Sequence, residues 1–192
     1  MYLLSPMRWI ELLWGILVLY WLISAFKRKR TKKRESVLQR LLYILPPIAA
    51  YFLVARPEFR IGWLAVRFVP DGPGIQWLGV AITAAGIAFC LWARWHLGSN
   101  WSGIVTLKEG HELIRTGPYR FIRHPIYTGI LIGLFGTFLE DGEMRSLVAL
   151  AMVWFSFYIK ARREESFLSQ EFGPGFAEHQ SHTGMFAPKF TS

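Results

Sequence analysis

The sequence predicts an all-α integral membrane protein with about five transmembrane helices, and three observations predict it. The chain is oily: of its 192 residues 53% are hydrophobic and 16% aromatic, while 18% are charged, against about 25% in an ordinary soluble domain. Its apolar residues fall in runs close to the length of a membrane-crossing helix. Its net charge of +9 is gathered in patches beside those runs, where cytoplasmic membrane flanks carry their Lys and Arg. The same figures argue against a disordered chain, a coiled coil or an ordinary soluble enzyme. Cys90 is the single cysteine, so no internal disulfide and no Cys-based zinc site is available.

Residues 7–26 form the first predicted span, with Arg8 and Glu11 its only charges. Twenty residues make about 30 Å of helix, enough for a bilayer core. The run reads as a retained span and not a signal peptide, because the basic cluster follows it and no small-residue cleavage site appears. That cluster, Lys27-Arg28-Lys29-Arg30-Thr31-Lys32-Lys33-Arg34, holds seven positive charges in eight residues. It reads as a cytoplasmic stop-transfer anchor, with nucleic-acid or specific lipid binding as the alternatives. A second span covers 37–54, with Pro46-Pro47 predicted to kink it. Residues 56–74 form a loop whose amphipathic stretch, 61–69, suits the membrane interface. In the third span, 75–97, Gly79, Thr83 and Gly86 give one face of small residues for close helix contact.

Two shorter apolar runs follow, 126–139 and 147–159, each about 20 Å as helix. That is short for a bilayer, so both helices are expected to continue into their charged flanks, with Arg145, Lys160, Arg162 and Arg163 snorkelling. Gly129 and Gly133 are expected to let these last two helices approach each other. With five spans and the basic run inside, fifteen Lys and Arg lie on the cytoplasmic side against four outside. The expected orientation is N-terminus out and C-terminus in.

The polar residues concentrate in two cytoplasmic stretches, 97–129 and 160–173. Pro125 suits the first turn of a helix, where its missing N–H costs nothing. His124 then stands at a helix N-terminus, whose free N–H groups attract an acceptor. Tyr127 lies on the first turn, and Gly117-Pro118 makes a turn that aims Tyr119. Lys160, Glu164 and Phe167 share one helix face, so the two charges either face a ligand together or pair with each other. Each residue also has a plain structural reading. His111 and His124 can be hydrogen-bonding residues and Tyr119 and Tyr127 interfacial aromatics. Lys160, Arg162 and Arg163 can be anchors, and Glu164-Glu165 a solvated face. Asn100-Trp-Ser looks like a glycosylation acceptor, but the topology puts it inside. The histidines lack the close pairing of zinc sites, so no metal is expected.

Taken together, Gly110-His-x-Leu-Ile-x-x-Gly-x-Tyr-x-x-x-Arg-His-Pro-x-Tyr-x-Gly129, followed by Glu164-Glu165-x-Phe-Leu-x-x-x-Phe-Gly173, resembles the isoprenylcysteine carboxyl methyltransferase family. The likeness is to its prokaryotic and archaeal members and to the related membrane phospholipid methyltransferases. It covers residues 97–188, about half the chain; the first two spans match in number and polarity alone. The resemblance implies a single membrane methyltransferase domain over 1–192, with three spans in 1–97 and a catalytic, cofactor-binding half in 98–192. It implies S-adenosyl-L-methionine bound on the cytoplasmic side, between the loop before the fourth helix and the C-terminal helix. The residues implied to enclose it are His111, Glu112, Leu113, Ile114, Gly117, Tyr119, His124, Pro125, Ile126, Tyr127 and Glu164. Where this chain has Lys160 the family usually has an arginine that holds the substrate carboxylate. Lys160 keeps the charge and loses the bidentate fork, so Arg162 is a second candidate, with Arg123 also facing the ligand. The family also tends to have tyrosine where this chain has Phe176 and His179.

The implied reaction is carboxyl O-methylation of an isoprenylcysteine-like or other lipid-tailed acidic substrate. A carboxylate is already ionised at neutral pH, so no general base is needed. A lipid-tailed acceptor can enter sideways between helices, which gives a methyltransferase a reason to have spans. The expected partners are that substrate and membrane lipids, with no nucleic acid. Three alternatives stay open: a phospholipid amine N-methyltransferase, which needs a base such as Glu164 or His124; an NADPH-dependent reductase of the sterol type, which shares an Arg-His-Pro-x-Tyr-x-Gly segment; and a non-enzymatic membrane scaffold.

Overall fold

A computed structural model describes residues 5–24, 31–34, 36–101, 106–108 and 112–189, with the backbone alone for 31–34 and 106–108. Six helices make up nearly all of it: α1 (Pro6–Ser24), α2 (Val37–Ala55), α3 (Pro73–Leu97), α4 (Pro125–Asp141), α5 (Met144–Phe172) and α6 (Pro174–His182). Among the described residues α1, α2, α3 and α5 are long and apolar enough to cross a membrane. With 17 residues α4 is slightly shorter, about 25 Å, and it lies along α3. The protein is an integral membrane protein of the all-α class. One small addition is an antiparallel ribbon of β1 (Thr31–Arg34) and β2 (Thr106–Lys108), with Lys33 opposite Leu107 and Arg34 opposite Thr106. It joins the connection after α1 to the connection after α3, so those two connections lie at the same end of the helices. Residues 27–30 of the basic run lie outside the described residues.

Local chemistry explains the boundaries. Ser36 caps α2 through its side chain, accepting from Gln39 N at 3.3 Å, and Gln39 Oε1 accepts from Ser36 N in return, a capping box. The α2 helix runs unbroken through Pro46-Pro47. Pro47 has no N–H to reach the carbonyl four residues back, and that carbonyl, on Tyr43, accepts from Ser156 Oγ of α5 at 2.6 Å instead. As expected, α5 continues past its apolar run: its 29 residues make about 43 Å, so its last turns carry Lys160, Glu164 and Glu165 clear of the apolar part.

The glycines of α4 meet a different helix from the predicted one. Gly129, Gly133 and Gly136 face α3, not α5. A Cβ on Gly86 would stand 2.6 Å from Gly129 O and 2.9 Å from Gly133 Cα, and one on Gly129 would stand 2.7 Å from Cys90 N. So the small face read on α3 and the small face read on α4 are the two sides of one seam. Thr83 Oγ1, buried in it, donates to Gly133 O at 3.1 Å. Small residues sit where two backbones touch, and a seam needs them on both sides.

At the far end, the α4–α5 turn is a buried ion-pair knot. Glu143, 2% exposed, takes Arg60 at 2.6 Å on one oxygen and Arg145 Nε at 2.7 Å on the other. Arg145 also donates to Val54 O at 2.7 Å, and Arg67 to Asp141 O at 2.9 Å. The expectation that Arg145 snorkels is thereby corrected: it is buried, because Glu143 and the Val54 carbonyl in the last turn of α2 hold its guanidinium inside. In the stretch 61–69, Ile61, Trp63 and Val66 are exposed.

Candidate active site

At the other end, the start of α4, the extended end of α5 and the tail after α6 converge. Gly117 has φ +56°, a left-handed conformation that glycine adopts without penalty. A tight turn over Gly117–Arg120 follows and buries Tyr119. Burial pushes the Tyr119 phenol above its ordinary range, and the charge of Glu164 adds to the effect, so Tyr119 is a neutral hydroxyl near that carboxylate. Pro125 opens α4 with His124 at the N-cap position, as the sequence predicts. The His124 side chain does not cap the helix. Its ring turns to α5, Nδ1 standing 3.4 Å from Glu164 Oε2 and Nε2 3.2 Å from Glu165 Oε1.

A neutral imidazole has one N–H, so an acceptor at each nitrogen favours the doubly protonated ring. Burial opposes the charged form, but the hydrogen bonds and charges of Glu164 and Glu165 outweigh it and hold His124 above its ordinary range. Tyr127 Oη donates to Glu164 Oε1 at 2.7 Å. The Tyr127 ring stacks on His124, with centroids 5.4 Å apart and planes within 3°, and on Phe157 of α5 at 4.7 Å. Lys160, one turn before Glu164, places Nζ 5.3 Å from the centre of that ring and 5.5 Å from the centre of Tyr43.

The tail completes the cluster. Arg123 N donates to Gly184 O at 2.9 Å and His124 N to Met185 O at 3.1 Å. Thr128 Oγ1 donates to Phe186 O at 2.8 Å, and the Phe186 ring meets His124 and Trp154 edge-on. Glu165 ties these pieces together. Buried on α5, it accepts from Arg123 Nε at 2.7 Å, from Gln180 Nε2 of α6 at 3.0 Å and from His124. The Arg123 guanidinium also donates to Thr183 O.

The structure therefore brings together Tyr119, His124, Pro125, Ile126, Tyr127, Glu164, Lys160 and Arg123. Of the loop residues, Leu113 and Ile114 are half-buried, and Ile114 packs on the core beside Tyr119. Glu112 is exposed, and His111 lies outside the described residues. Arg162 is exposed; two residues from Lys160, it points about 200° round the helix. Asn100 is buried and so closed to glycosylation. Phe176 and His179, the tail's departures from the resembled family, are both buried on the inner side of α6. Sequence reasoning missed the part played by Glu165. Its signal was adjacency to Glu164: neighbours on a helix diverge by 100°, so one carboxylate meets Tyr127 while the other turns to Arg123.

Comparison with known proteins identifies a family and relatives. The family profile described as phospholipid methyltransferase matches residues 75–175, from α3 to the start of α6, which takes in the α4 and α5 residues of the cluster but not its tail. A probable protein-S-isoprenylcysteine O-methyltransferase of Oryza sativa subsp. indica is 27% identical over 176 residues, 86% of this chain and 87% of that protein. Protein-S-isoprenylcysteine O-methyltransferase A of Arabidopsis thaliana is 36% identical over 85 residues, 44% of this chain and 43% of that protein. The cobalt-zinc-cadmium resistance protein CzcN of Cupriavidus metallidurans is 28% identical over 123 residues, 63% of this chain and 54% of that protein. The chain belongs to the phospholipid methyltransferase family, which takes in the isoprenylcysteine carboxyl methyltransferases it resembles, and it is a membrane methyltransferase. Its reaction needs a methyl donor. Membership sets aside the reductase and scaffold readings.

Proposed function

We propose that the protein transfers the methyl group of S-adenosyl-L-methionine to the carboxylate of an isoprenylcysteine-like or other lipid-tailed acid. When bound, the sulfonium cofactor would supply a methyl that a carboxylate oxygen attacks in line, the C–O bond forming as the C–S bond breaks with its electron pair going to sulfur. One observation carries the reading: Lys160 and Glu164, one turn apart on α5, meet the same tyrosine of α4, Tyr127. A cation for the acceptor carboxylate and a carboxylate for the cationic donor thus stand side by side.

The residues fit the donor. The rings of Tyr127 and Phe157 offer aromatic surface to a sulfonium, and Glu164 offers compensating charge. Leu113, Ile114, Gly117, Tyr119, Pro125 and Ile126 would form its walls, with Glu112 and His111 the remaining candidates from the sequence. For the acceptor, Lys160 is the better anchor. Arg123 is committed to Glu165 and Thr183 O, and Arg162 faces away. Holding the two reactants in line lowers the barrier by positioning, and no base is required.

The reading includes five spans, α1 to α5, with the N-terminus outside and the site cytoplasmic. It treats 1–192 as one domain, in which 1–97 supplies spans and 98–192 the chemistry. The family profile's description supports a second reading, an amine headgroup as acceptor, with Glu164 as base. The test is transfer of labelled methyl, in membranes, to an N-acylated S-prenyl cysteine and to phosphatidylethanolamine. Label released by mild base shows a methyl ester. Base-stable label on the phospholipid would replace the first reading with the second.

A further inference from the structure

The first two helices lie outside the matched profile, yet one side chain of α2 reaches the site. Tyr43 is 4% exposed, and its ring centre stands 5.5 Å from Lys160 Nζ, which is also 5.3 Å from the ring centre of Tyr127. The position follows from the sequence of α2. Pro47 cannot donate to the carbonyl of Tyr43, so that carbonyl is open to another helix, and Ser156 Oγ takes it at 2.6 Å. Ser156 precedes Lys160 by four residues and shares its face of α5. The contact that satisfies Tyr43 O therefore places the Tyr43 ring one turn further along, at the ammonium.

We propose that Tyr43 is a positioning residue: it and Tyr127 clamp the Lys160 ammonium between two ring faces, and the proline pair of α2 sets the register of that clamp. The inference rests on Lys160 being the acceptor anchor. A lysine stem is flexible where arginine is a rigid fork. Two aromatic faces restrict the stem while leaving the ammonium N–H groups able to bond a carboxylate, since ring faces attract the charge without accepting strong hydrogen bonds. The clamp supplies the aim that a lysine lacks at this position.

The experiment is steady-state methylation of an N-acylated S-prenyl cysteine by the full chain in membranes. Tyr43→Leu is expected to raise the acceptor KM about tenfold, the size of a desolvated cation–π contact, and to leave the KM for the methyl donor unchanged. Tyr43→Phe, which keeps the ring, is expected to stay within about twofold. Added to Lys160→Met, Tyr43→Leu is expected to do nothing further. Phenylalanine with one, two and five ring fluorines at position 43 keeps the shape and drains the ring face, so acceptor KM should climb with each step even if the leucine variant fails to fold. A flat fluorine series, or an undiminished Tyr43→Leu effect in the Lys160→Met background, overturns the clamp. An unchanged acceptor KM in Lys160→Met alone overturns the anchor reading beneath it.

Discussion

Replacing Gly86 with alanine tests the α3–α4 seam. The added Cβ would lie 2.6 Å from Gly129 O, 2.9 Å from Gly133 Cα and closer still to Gly133 N. All three neighbours are backbone, so no side chain can swing aside, and the helices must part by about 1 Å to restore normal contact. A gap of that size forfeits a quarter to a half of the attraction of each atom pair along the seam, each pair being worth about 0.1–0.2 kcal/mol. Over some tens of pairs the loss is about 2 kcal/mol, inside the usual range for overpacking. Alanine in place of a helical glycine returns about 1 kcal/mol, so Gly86→Ala should destabilise by a net of about 1 kcal/mol. Gly15 of α1 has nothing within 4 Å of its added Cβ, so Gly15→Ala keeps the gain without the clash. Unfolding of both variants in detergent micelles, followed by helical circular dichroism, gives the comparison. Equal stability of the two would refute the backbone-contact seam.

Tyr127→Phe removes the hydroxyl that reaches Glu164 and keeps the ring stack. Methyl-donor affinity should fall about tenfold, since a hydrogen bond to a charged group is worth about 1.5–3 kcal/mol; an unchanged Kd by titration calorimetry would make the hydroxyl a bystander. His124 is held above its ordinary range in the folded protein, so the stability it contributes is complete below about pH 6.5 and is lost as pH rises through the raised value. Tm should therefore drop with rising pH across that window, and His124→Gln should flatten the profile. Arg145→Met leaves Glu143 buried with one cation in place of two and should cost about 3 kcal/mol, read as a shift in thermal unfolding. A loss as small as that of an exposed pair would mean the knot is solvated.

The helices were legible because a bilayer imposes length and apolarity on each segment separately. Pro6–Ser24, Val37–Ala55 and Pro73–Leu97 fall within a few residues of the runs read at 7–26, 37–54 and 75–97. The continuation of α5 into its charged end also followed from length alone. Pairings did not follow. Gly129 and Gly133 signalled a close approach, but a small face does not say which helix it meets, and α3 carried the matching face. Arg145 and Glu143 read as a polar turn because nothing local revealed that Arg60, Arg67 and the end of α2 arrive there.

The candidate site divides in the same way. His124, Tyr127 and Glu164 stood out by residue type and spacing within a recognisable motif. Glu165 and Tyr43 did not, since each acts through partners 41 or more positions distant: Glu165 through Arg123 and His124, Tyr43 through Ser156 and Lys160. Sequence by itself determined an oily, basic, helical membrane protein with a polar methyltransferase motif at one face, because hydrophobic length, charge bias and motif spacing are properties of contiguous residues. Tertiary structure alone decided which glycines touch, which arginine is spent on Glu165, and which rings enclose Lys160. Those are matters of distance between helices, and one missing proline N–H or one absent Cβ fixes them only when a second helix is there to respond.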